Sequence, residues 1–347
     1  MTRDRDAADS PGDGTAGRRP TIIDVAERAG VSKSLVSRAL RGDPGVSPER
    51  REAIARSAAD LGYRPNSAAR SLVRGRSGLI GVVLNEIGNQ HHTEIVAGVE
   101  SRAAQLGASV IIADGAGSPD RLSDRIETML ELRVDGLVLA SSWVARADLE
   151  RAGRSTPTVA VSRLIDPPSS VDTIASDDVS GAAEATRALI SAGRTRLGYI
   201  TTSTSPTSAA RVAGVRSAAE GAGLAYEVFE LPPQRAGRAE VAEVLRGSGV
   251  DGVLCNNDVT AVTVLAAARQ SGIRVPDDLA VIGYDDTRLC LLTDPELSSV
   301  DQPQRAMGER AIDAIWERAN GRARAVREDF PPRLVLRAST GVPGIGA

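Results

Sequence analysis

The sequence is poor in cysteine and lacks long hydrophobic runs. Cys255 and Cys290 are the only cysteines among 347 residues, too few for a disulfide framework, and both are expected to be small buried hydrophobes. No apolar run reaches the roughly 18 residues that a membrane span needs. The polar N-terminus does not resemble a secretory signal. These absences predict a protein of the cytoplasm with no membrane partner.

Lysine and histidine are also scarce. Lys33 is the only lysine, whereas the other basic residues are arginines, and His91 and His92 are the only histidines. Adjacent side chains on an extended segment point to opposite sides, so the two histidines are not expected to share a metal ion. The sequence therefore predicts neither a metal site nor another cofactor.

The charge is divided unequally along the chain. The segment from Arg18 to Arg76 contains 13 Lys and Arg against 6 Asp and Glu, a net charge of +7, which leaves −10 for the remainder of a chain whose total is −3. A basic segment on an acidic body is typical of proteins in which only the basic part binds a polyanion.

Residues 20–64 have the pattern of three short helices. Thr21, Ser32 and Ser47 each precede a helical apolar pattern and can cap its N-terminus. Gly30 can supply the left-handed residue between the first two helices. This arrangement predicts a helix-turn-helix, whose second helix enters the major groove of DNA.

The segments on either side of these helices differ in character. Residues 1–19 are rich in Asp, Arg, Gly, Ser and Pro, a composition that predicts a disordered tail. In residues 65–76, Pro65 disfavours helix before it, and Asn66 can cap a short helix after it. So short a helix is marginal in isolation and needs a partner to order it.

From residue 77 onwards, short apolar runs alternate with amphipathic segments. This alternation predicts parallel sheets covered by helices on both faces, and the length favours two similar subdomains. An enzyme that binds NAD could share the pattern, but Gly78 to Gly81 is not a G-x-G-x-x-G turn after a strand, and no nucleophile or acid/base constellation is found. The predicted strands are 79–84, 110–113, 136–140, 159–161, 197–200, 252–255 and 279–282.

Several motifs, in this order, resemble the LacI/GalR family of bacterial transcription regulators over about residues 20–340. They are TIIDVA at 21–26, AGVS at 29–32, VSR at 36–38, VSP at 46–48, LGYRPN at 61–66, ND at 257–258, VPDD at 275–278, GYDD at 283–286 and VDQP at 300–303. The resemblance implies a lambda-repressor-like helix-turn-helix head, a hinge helix in 65–76, and an α/β effector domain in 77–347 similar to type I periplasmic binding proteins. Its N-subdomain would span about 77–193 and 303–330, and its C-subdomain about 194–302 and 331–347.

The resemblance also implies DNA contacts within the head. Lys33, Ser34 and Arg38 would reach base edges, since lysine and arginine donate to guanine O6 and N7 in the major groove. Ser32 and Ser37 would contact phosphates, which position the protein without reading sequence. Thr21 completes this set of predicted contacts. Leu35 stands where the family often has threonine, so the operator sequence cannot be carried over.

In the family, the hinge helix folds when two copies meet on DNA. Asn66, Ala69 and Leu72 match its DNA-contacting residues, and Leu72 matches the leucine that wedges into the minor groove. An inserted apolar side chain unstacks a base step and kinks the duplex. The resemblance thus implies a homodimer on a near-palindromic operator.

The implied effector site lies between the subdomains, at the carboxyl ends of strands. Arg211 and Asp258 match the family's most regular ligand contacts, whereas Asp178 is expected to cap a helix, and Asp285 and Asp286 stay outside the predicted site. Leu231 replaces an aromatic stacking residue of some relatives, so Trp143 or a histidine must supply the platform if the ligand is a sugar. The predicted ligand contacts are His91, His92, Ser141, Trp143, Arg163, Asp177, Arg211, Asp258 and Gln302.

These features predict an allosteric repressor whose operator affinity is controlled by a small molecule, a sugar or related metabolite. A global regulator controlled by a protein corepressor is the alternative. An exported solute-binding protein would share the body, but it would lack the helix-turn-helix head. The sequence identifies neither the effector, nor the sign of its action, nor the regulated genes.

Overall fold

The computed structural model describes residues 20–63, 76–232 and 237–341. The predicted tail at 1–19 and the predicted hinge contacts Asn66, Ala69 and Leu72 lie outside the described residues. The chain divides into two compact units, 1–77 and 78–347, each of which is described by itself.

The smaller unit has the three helices that the sequence predicts, at Ile22–Ala29 (α1), Lys33–Arg41 (α2) and Pro48–Asp60 (α3). Thr21, Ser32 and Ser47 cap them, and the φ of Gly30 is +64° at the turn between α1 and α2. Left-handed backbone of this kind favours glycine, because other residues clash there. The helix-turn-helix is therefore confirmed.

The core of the smaller unit is thin and aliphatic. It consists of Val25, Ala26, Val36, Ala39, Val46, Ile54 and Ala58, with Leu35 and Tyr63 partly buried against it. All three helices contribute, so burial of these side chains fixes the pose of α2 relative to α1 and α3.

The larger unit alternates strands and helices throughout. Its strands are β1 Leu79–Leu84, β2 Ser109–Asp114, β3 Gly136–Ala140, β4 Thr158–Val161, β5 Val171–Ser176, β6 Leu197–Thr201, β7 Tyr226–Glu230, β8 Gly252–Cys255, β9 Ala280–Tyr284, β10 Ser298–Asp301, β11 Arg327–Phe330 and β12 Arg333–Val335. Its α-helices are α4 Gln90–Gln105, α5 Pro119–Glu131, α6 Arg146–Ser155, α7 Asp178–Ser191, α8 Pro206–Gly221, α9 Arg238–Ser248, α10 Asp258–Gln270 and α11 Gln304–Ala319.

These strands form two six-stranded sheets with matching order. The first sheet runs β11-β5-β4-β3-β1-β2 and is parallel throughout; the second runs β12-β10-β9-β8-β6-β7 and is parallel except for β12. The order reverses between β1 and β3 and again between β6 and β8. Open parallel sheets bind ligands at such switch points, outside the carboxyl ends of the strands. The predicted pair of parallel-sheet subdomains is confirmed.

Each sheet is the centre of a lobe. Residues 78–176 and 304–330 form the first lobe, and residues 178–232, 237–301 and 333–341 form the second. The sequence predicts the first crossing between lobes near residue 193, whereas α7 already packs against α8 and the second sheet. Gly214 permits this packing, since a Cβ on it would lie 2.3 Å from the carbonyl oxygen of Val179. The chain therefore crosses at Asp177, directly after β5.

The chain returns to the first lobe through α11, which crosses α4 closely. A Cβ on Gly98 would lie 2.0 Å from the carbonyl oxygen of Arg305, and one on Gly308 would lie 2.2 Å from that of Ile95. Two glycines thus let the two backbones approach each other, and Arg102 pairs with Asp313 across the same crossing at 2.7 Å.

Candidate functional site

The N-terminus of α2 is an exposed polar part of the smaller unit. The Oγ atom of Ser32 accepts a hydrogen bond from the backbone N–H of Leu35 at 3.3 Å and lies 3.0 Å from the Oγ atom of Ser34. Lys33 and Ser34 are exposed on the first turn. A helix N-terminus carries partial positive charge and attracts phosphate. This end of α2 can therefore hold a DNA backbone while its side chains reach bases.

The other predicted DNA contacts of the head have partners in the protein. Arg38 is exposed, but its guanidinium donates to the carbonyl of Pro44 at 2.9 Å. The backbone N–H of Thr21 donates to the carboxylate of Asp24 at 2.6 Å, and the hydroxyl of Thr21 accepts from the N–H of Asp24 at 3.5 Å, which closes the capping box of α1. Ser37 is half-buried on α2. Arg38 would therefore have to leave Pro44 before it could read a base.

In the larger unit, an arginine–aspartate pair lies buried at the carboxyl edge of the second sheet. Arg211 of α8 donates through Nε to Asp178 at 2.9 Å and through Nη1 to the carbonyl of Asn256. Its guanidinium lies 3.5 Å from the ring centroid of Tyr284. Burial opposes the charge of Arg211, but Asp178 and the neighbouring phenolic and carboxyl groups raise its pKa above the ordinary value. Arg211 therefore stays charged inside the protein.

Asp178 also receives an arginine from the other lobe. Arg163, which follows β4, donates through Nε to Asp178 at 3.3 Å and through Nη2 to the carbonyl of Ser176 at 3.1 Å. The neighbouring Asp177 is the residue that caps α7, through a hydrogen bond from the N–H of Ser180 at 3.1 Å. Asp177 thus has the capping role expected of Asp178, while Asp178 bridges the two lobes.

A second contact between the lobes involves Asp285, Gln302 and His91. The side-chain amide of Gln302 donates to Asp285 at 2.6 Å, and Nδ1 of His91 lies 3.4 Å from both Asp285 and Gln302. Asp285 is buried and has a φ of +105°, which is rare for a residue with a side chain. Burial raises its pKa, although Arg211 and Gln302 oppose the shift.

The two histidines lie on a helix rather than on the extended segment that the sequence predicts. Asn89 caps α4 by accepting from the N–H of His91 at 3.0 Å, so both histidines fall in the first turn. Their rings meet edge to face at 5.6 Å, and Nδ1 of His92 lies 2.7 Å from the carbonyl oxygen of Glu86. Burial, with a contribution from Arg211, lowers the pKa of His91 to about 3, and burial lowers that of His92 to about 4. Within the described ranges, no group of three or more residues could hold a metal ion.

Asp258 is fully buried at the start of α10, where Asn257 is the capping residue. One carboxylate oxygen accepts from the N–H and hydroxyl of Thr287 at 2.7 and 2.9 Å, and the other accepts from the hydroxyl of Ser299 at 2.6 Å. Burial and the nearby Asp285 raise its pKa. Asp258 therefore ties the turn after β9 to β10, and its side chain does not reach the cleft surface.

Two cavities lie where the lobes meet. One of about 380 Å³, here called the Trp143 cavity, is lined by Gly117, Pro119, Trp143, Thr202, Ser203, Thr204, Glu230, Leu231 and Pro232. The other, of about 340 Å³ and here called the Asn89 cavity, is lined by Glu86, Gly88, Asn89, Thr202, Leu231, Val241, Asn257, Val259, Thr260 and Thr263. Both volumes are within the usual range of ligand pockets, about 300–1,000 Å³.

The backbone of Trp143 is positioned by a hydrogen bond to Ser141. Ser141 is buried and its Oγ atom accepts from the N–H of Trp143 at 3.1 Å. Between them, the hydroxyl of Ser142 lies 2.5 Å from that of Ser162 and 3.0 Å from that of Thr207 in the second lobe. The indole of Trp143 remains 41% exposed and faces the cavity that bears its name.

Asp178 and Asp285 are members of this cluster that the sequence reasoning left out. Asp285 directly follows the buried strand β9, and Asp178 is the second residue after the buried strand β5, so both lie at the carboxyl edge of a parallel sheet. The same rule that selected Asp258 and Asp177 selects them too. Position alone does not tell which of two adjacent aspartates caps a helix and which one faces an arginine.

A helix-turn-helix unit on the same chain as a two-lobed unit with a polar cleft defines a DNA-binding regulator with a ligand-binding domain. The model of the bacterial regulatory proteins of the lacI family matches residues 21–66, and that of the periplasmic binding protein-like domain matches residues 186–340. The chain is 34% identical to the ribose operon repressor of Escherichia coli (strain K12), over 86% of this chain and 92% of that protein. It is 30% identical to the transcriptional regulator DegA of Bacillus subtilis (strain 168), over 93% of this chain and 98% of that protein. The chain therefore belongs to the lacI family, whose members are transcriptional regulators rather than enzymes.

Solved structures agree with this assignment. The Lac repressor dimer bound to operator and the anti-inducer ONPF matches with a TM-score of 0.82 and 26% identity, over 93% of this chain and 99% of that one. The CelR–cellobiose complex matches with a TM-score of 0.68 and 30% identity, over 92% of this chain and 100% of that one. Among the described residues, no helix is long and apolar enough to cross a membrane.

Proposed function

We propose that the protein is a homodimeric repressor that binds a near-palindromic operator and is controlled by a small, uncharged, polyhydroxyl effector bound between its lobes. The observation that carries the proposal is the set of polar contacts between the lobes, in which Asp178 and Asp285 of the second lobe meet Arg163 and His91 of the first. A ligand that competes with these contacts, or adds to them, favours one pose of the lobes over another.

The charge of the cleft argues against an anionic effector. Glu86 and Glu230 line the two cavities, and among the described lining residues there is no lysine or arginine. The nearby Arg163 and Arg211 are both paired with Asp178. A phosphate or carboxylate would therefore enter a region with excess negative charge, whereas hydroxyl groups could donate to the acidic side chains and accept from the hydroxyls of residues 202–204.

Within this proposal, the predicted ligand residues have different tasks. His91, His92, Ser141, Trp143, Arg163, Arg211 and Gln302 are assigned to the ligand-binding cleft, together with Asp285. Asp177 and Asp258 are positioning residues, because one caps α7 and the other holds the turn that carries Asp285.

In the head, Lys33 and Ser34 are assigned to base edges and Ser32 to a phosphate. Arg38 and Ser37 follow on the same helix, and Thr21 fixes the start of α1. The hinge contacts Asn66, Ala69 and Leu72 complete the proposed DNA interface.

The test is footprinting of the region upstream of the gene with the full chain, with and without neutral sugars. A protected near-palindrome whose protection changes with a sugar supports the proposal; no protection under any condition contradicts it. In binding titrations, Lys33→Ala should relax sequence preference by roughly 1–3 kcal/mol at one base pair per half-site. An equal loss on all sequences would instead make Lys33 a phosphate contact.

A further inference from the structure

The two cavities adjoin each other, because Thr202 and Leu231 line both. Neither residue closes the passage with an aromatic side chain. The Asn89 cavity lies near the polar cluster, because Asn257 lines it and follows Asn256, whose carbonyl accepts from Arg211, and Glu86 lines it and contacts His92. The two adjoining cavities are together called the groove.

The walls of the Trp143 cavity differ in polarity. From the first lobe come Gly117, Pro119 and the exposed indole of Trp143; from the second come the 202–204 segment, with three hydroxyl side chains, and Glu230. A ligand that fits both walls has one face of C–H groups and a rim of hydroxyls. Pyranose rings have this arrangement, whereas a purely aromatic group would leave the hydroxyl wall without partners.

Resting on the proposed function, we infer that the effector is an uncharged glycoside of at least two rings, with one ring in the Asn89 cavity and the next in the Trp143 cavity against the indole. Trp143 then supplies, from the first lobe, the aromatic surface that Leu231 does not supply from the second. Because the groove has both lobes as walls, a two-ring ligand contacts both of them, and Trp143 determines specificity for ligand length.

The test uses the full chain and isothermal titration with cellobiose, maltose and lactose, each compared with glucose and galactose. At least one disaccharide should bind about tenfold or more tightly than its own monosaccharides, which is within the range of a well-packed aromatic contact. Trp143→Ala should remove this advantage, because it should lower the disaccharide affinity about tenfold and the monosaccharide affinity by less. Trp316→Ala is the matched control, since Trp316 is 45% exposed and lines neither cavity as described.

A second readout keeps the test independent of heat signals. In a Trp316→Phe background, Trp143 is the only tryptophan, so its emission reports the cavity directly. The inference predicts a change in this emission on adding the disaccharide that binds, and a smaller change with the monosaccharides.

Three results would overturn the inference: equal affinity for disaccharides and their monosaccharides, full retention of disaccharide affinity by Trp143→Ala, or no binding of any disaccharide. A preference for nitrophenyl glucoside over every disaccharide would also overturn it, in favour of an aromatic occupant. The proposed regulatory function fails separately, through the absence of a protected operator, so the two failures are distinguishable.

Discussion

The two lobes have the same strand order but different carboxyl edges. In the second lobe the charged groups are buried and already bonded: Asp178, Arg211, Asp258 and Asp285 are each 5% exposed or less. In the first lobe the facing groups are more open, with His91 at 17%, Arg163 at 27% and Trp143 at 41% exposure. The charged groups of the second edge are thus already paired by folding, whereas the groups of the first edge are more accessible to solvent.

This difference divides the energetic roles between the lobes. Charges buried with full sets of partners are expensive to separate, so the second edge is rigid and preorganised. Side chains that are partly exposed can change partners at low cost, so the first edge can respond to a ligand. Substitutions at matched places on the two edges should therefore affect different properties.

The largest difference is expected between Arg211→Ala and Arg163→Ala. The first variant leaves Asp178 buried without its closest partner and should lower the free energy of unfolding by about 3–5 kcal/mol. The second removes a partly exposed arginine from the same carboxylate and should cost about 1 kcal/mol or less. Urea unfolding followed by tryptophan emission measures the larger unit, which contains both tryptophans. Equal losses in the free energy of unfolding of the two variants would contradict the proposed difference between the lobes.

Asp258 and Asp285 of the second lobe both have a raised pKa, and substituting them should affect stability and effector binding to different extents. Burial raises the pKa of Asp285, so Asp285→Asn removes a disfavoured charge and should change the free energy of unfolding by less than about 1 kcal/mol. Effector affinity should nevertheless fall by about tenfold or more, because a hydroxyl acceptor is lost. The affinity is measured by titrating the protein with the sugar that changes operator protection in the footprinting test.

Asp258→Asn is the control for that variant. It disturbs three hydrogen bonds, from Thr287 and Ser299, and should cost about 1–3 kcal/mol of stability. Its effector affinity should fall less than that of Asp285→Asn. The reverse order would make Asp258, and not Asp285, the direct contact.

The histidines of the first lobe predict a loss of stability in acid. Burial lowers the pKa of His91 to about 3, below the unfolded value of about 6.5, so the unfolded chain binds more protons between these values. The histidine contribution is therefore fully favourable only above the unfolded pKa and decreases as the pH falls. Relative to His91→Gln, the wild type should lose about 1–2 kcal/mol between pH 7 and pH 5.

Urea unfolding of both proteins at each pH checks the prediction, and the comparison with the variant cancels the contributions of the carboxyl groups that both retain. His91→Gln/His92→Gln should enlarge the difference, since the pKa of His92 is lowered to about 4. Parallel stability curves for wild type and variants would show that the first edge is not buried enough to keep its imidazoles neutral.

A small effect on stability is also expected at the hydroxyl contact between the lobes. Ser142→Ala removes the contacts to Ser162 and Thr207 and should cost about 0.5–1.5 kcal/mol, the net value of an ordinary hydrogen bond. Ser155→Ala, which removes a hydroxyl that donates within α6, is a control from the same lobe. A loss in Ser142→Ala no larger than that in Ser155→Ala would show that this hydroxyl contact does not stabilise the joined lobes.

The fold follows from local patterns to a large extent. Buried central strands such as β1, β3 and β8 are short continuous apolar runs, and their bounds agree with those predicted from sequence. β7, β11 and β12 lie at sheet edges and consist of half-buried and exposed residues, so they have no such run. Their position depends on a neighbouring strand, which a linear pattern does not specify.

The site was less accessible to sequence reasoning, for a related reason. The pattern identifies Arg211 and Gln302 as polar residues at sheet edges, but the partner of Arg211 is 33 residues away and that of Gln302 is 17 residues away. The choice between Asp177 and Asp178, or between Asp258 and Asp285, depends on which carboxylate lies opposite a donor in space. Helix caps such as Ser32 are predictable because the donor and acceptor are three residues apart.

The close crossing of α4 and α11 has a consequence for synthesis of the chain. Arg102 and Asp313, which pair across it, are 211 residues apart, so the first lobe cannot complete its core until the last helix has left the ribosome. The second lobe lies almost wholly in one continuous segment and can fold before that moment. Proteolysis of arrested nascent chains should therefore show protection of 178–301 before protection of 78–176. The first lobe therefore begins to be synthesised before the second lobe but completes its folding after it.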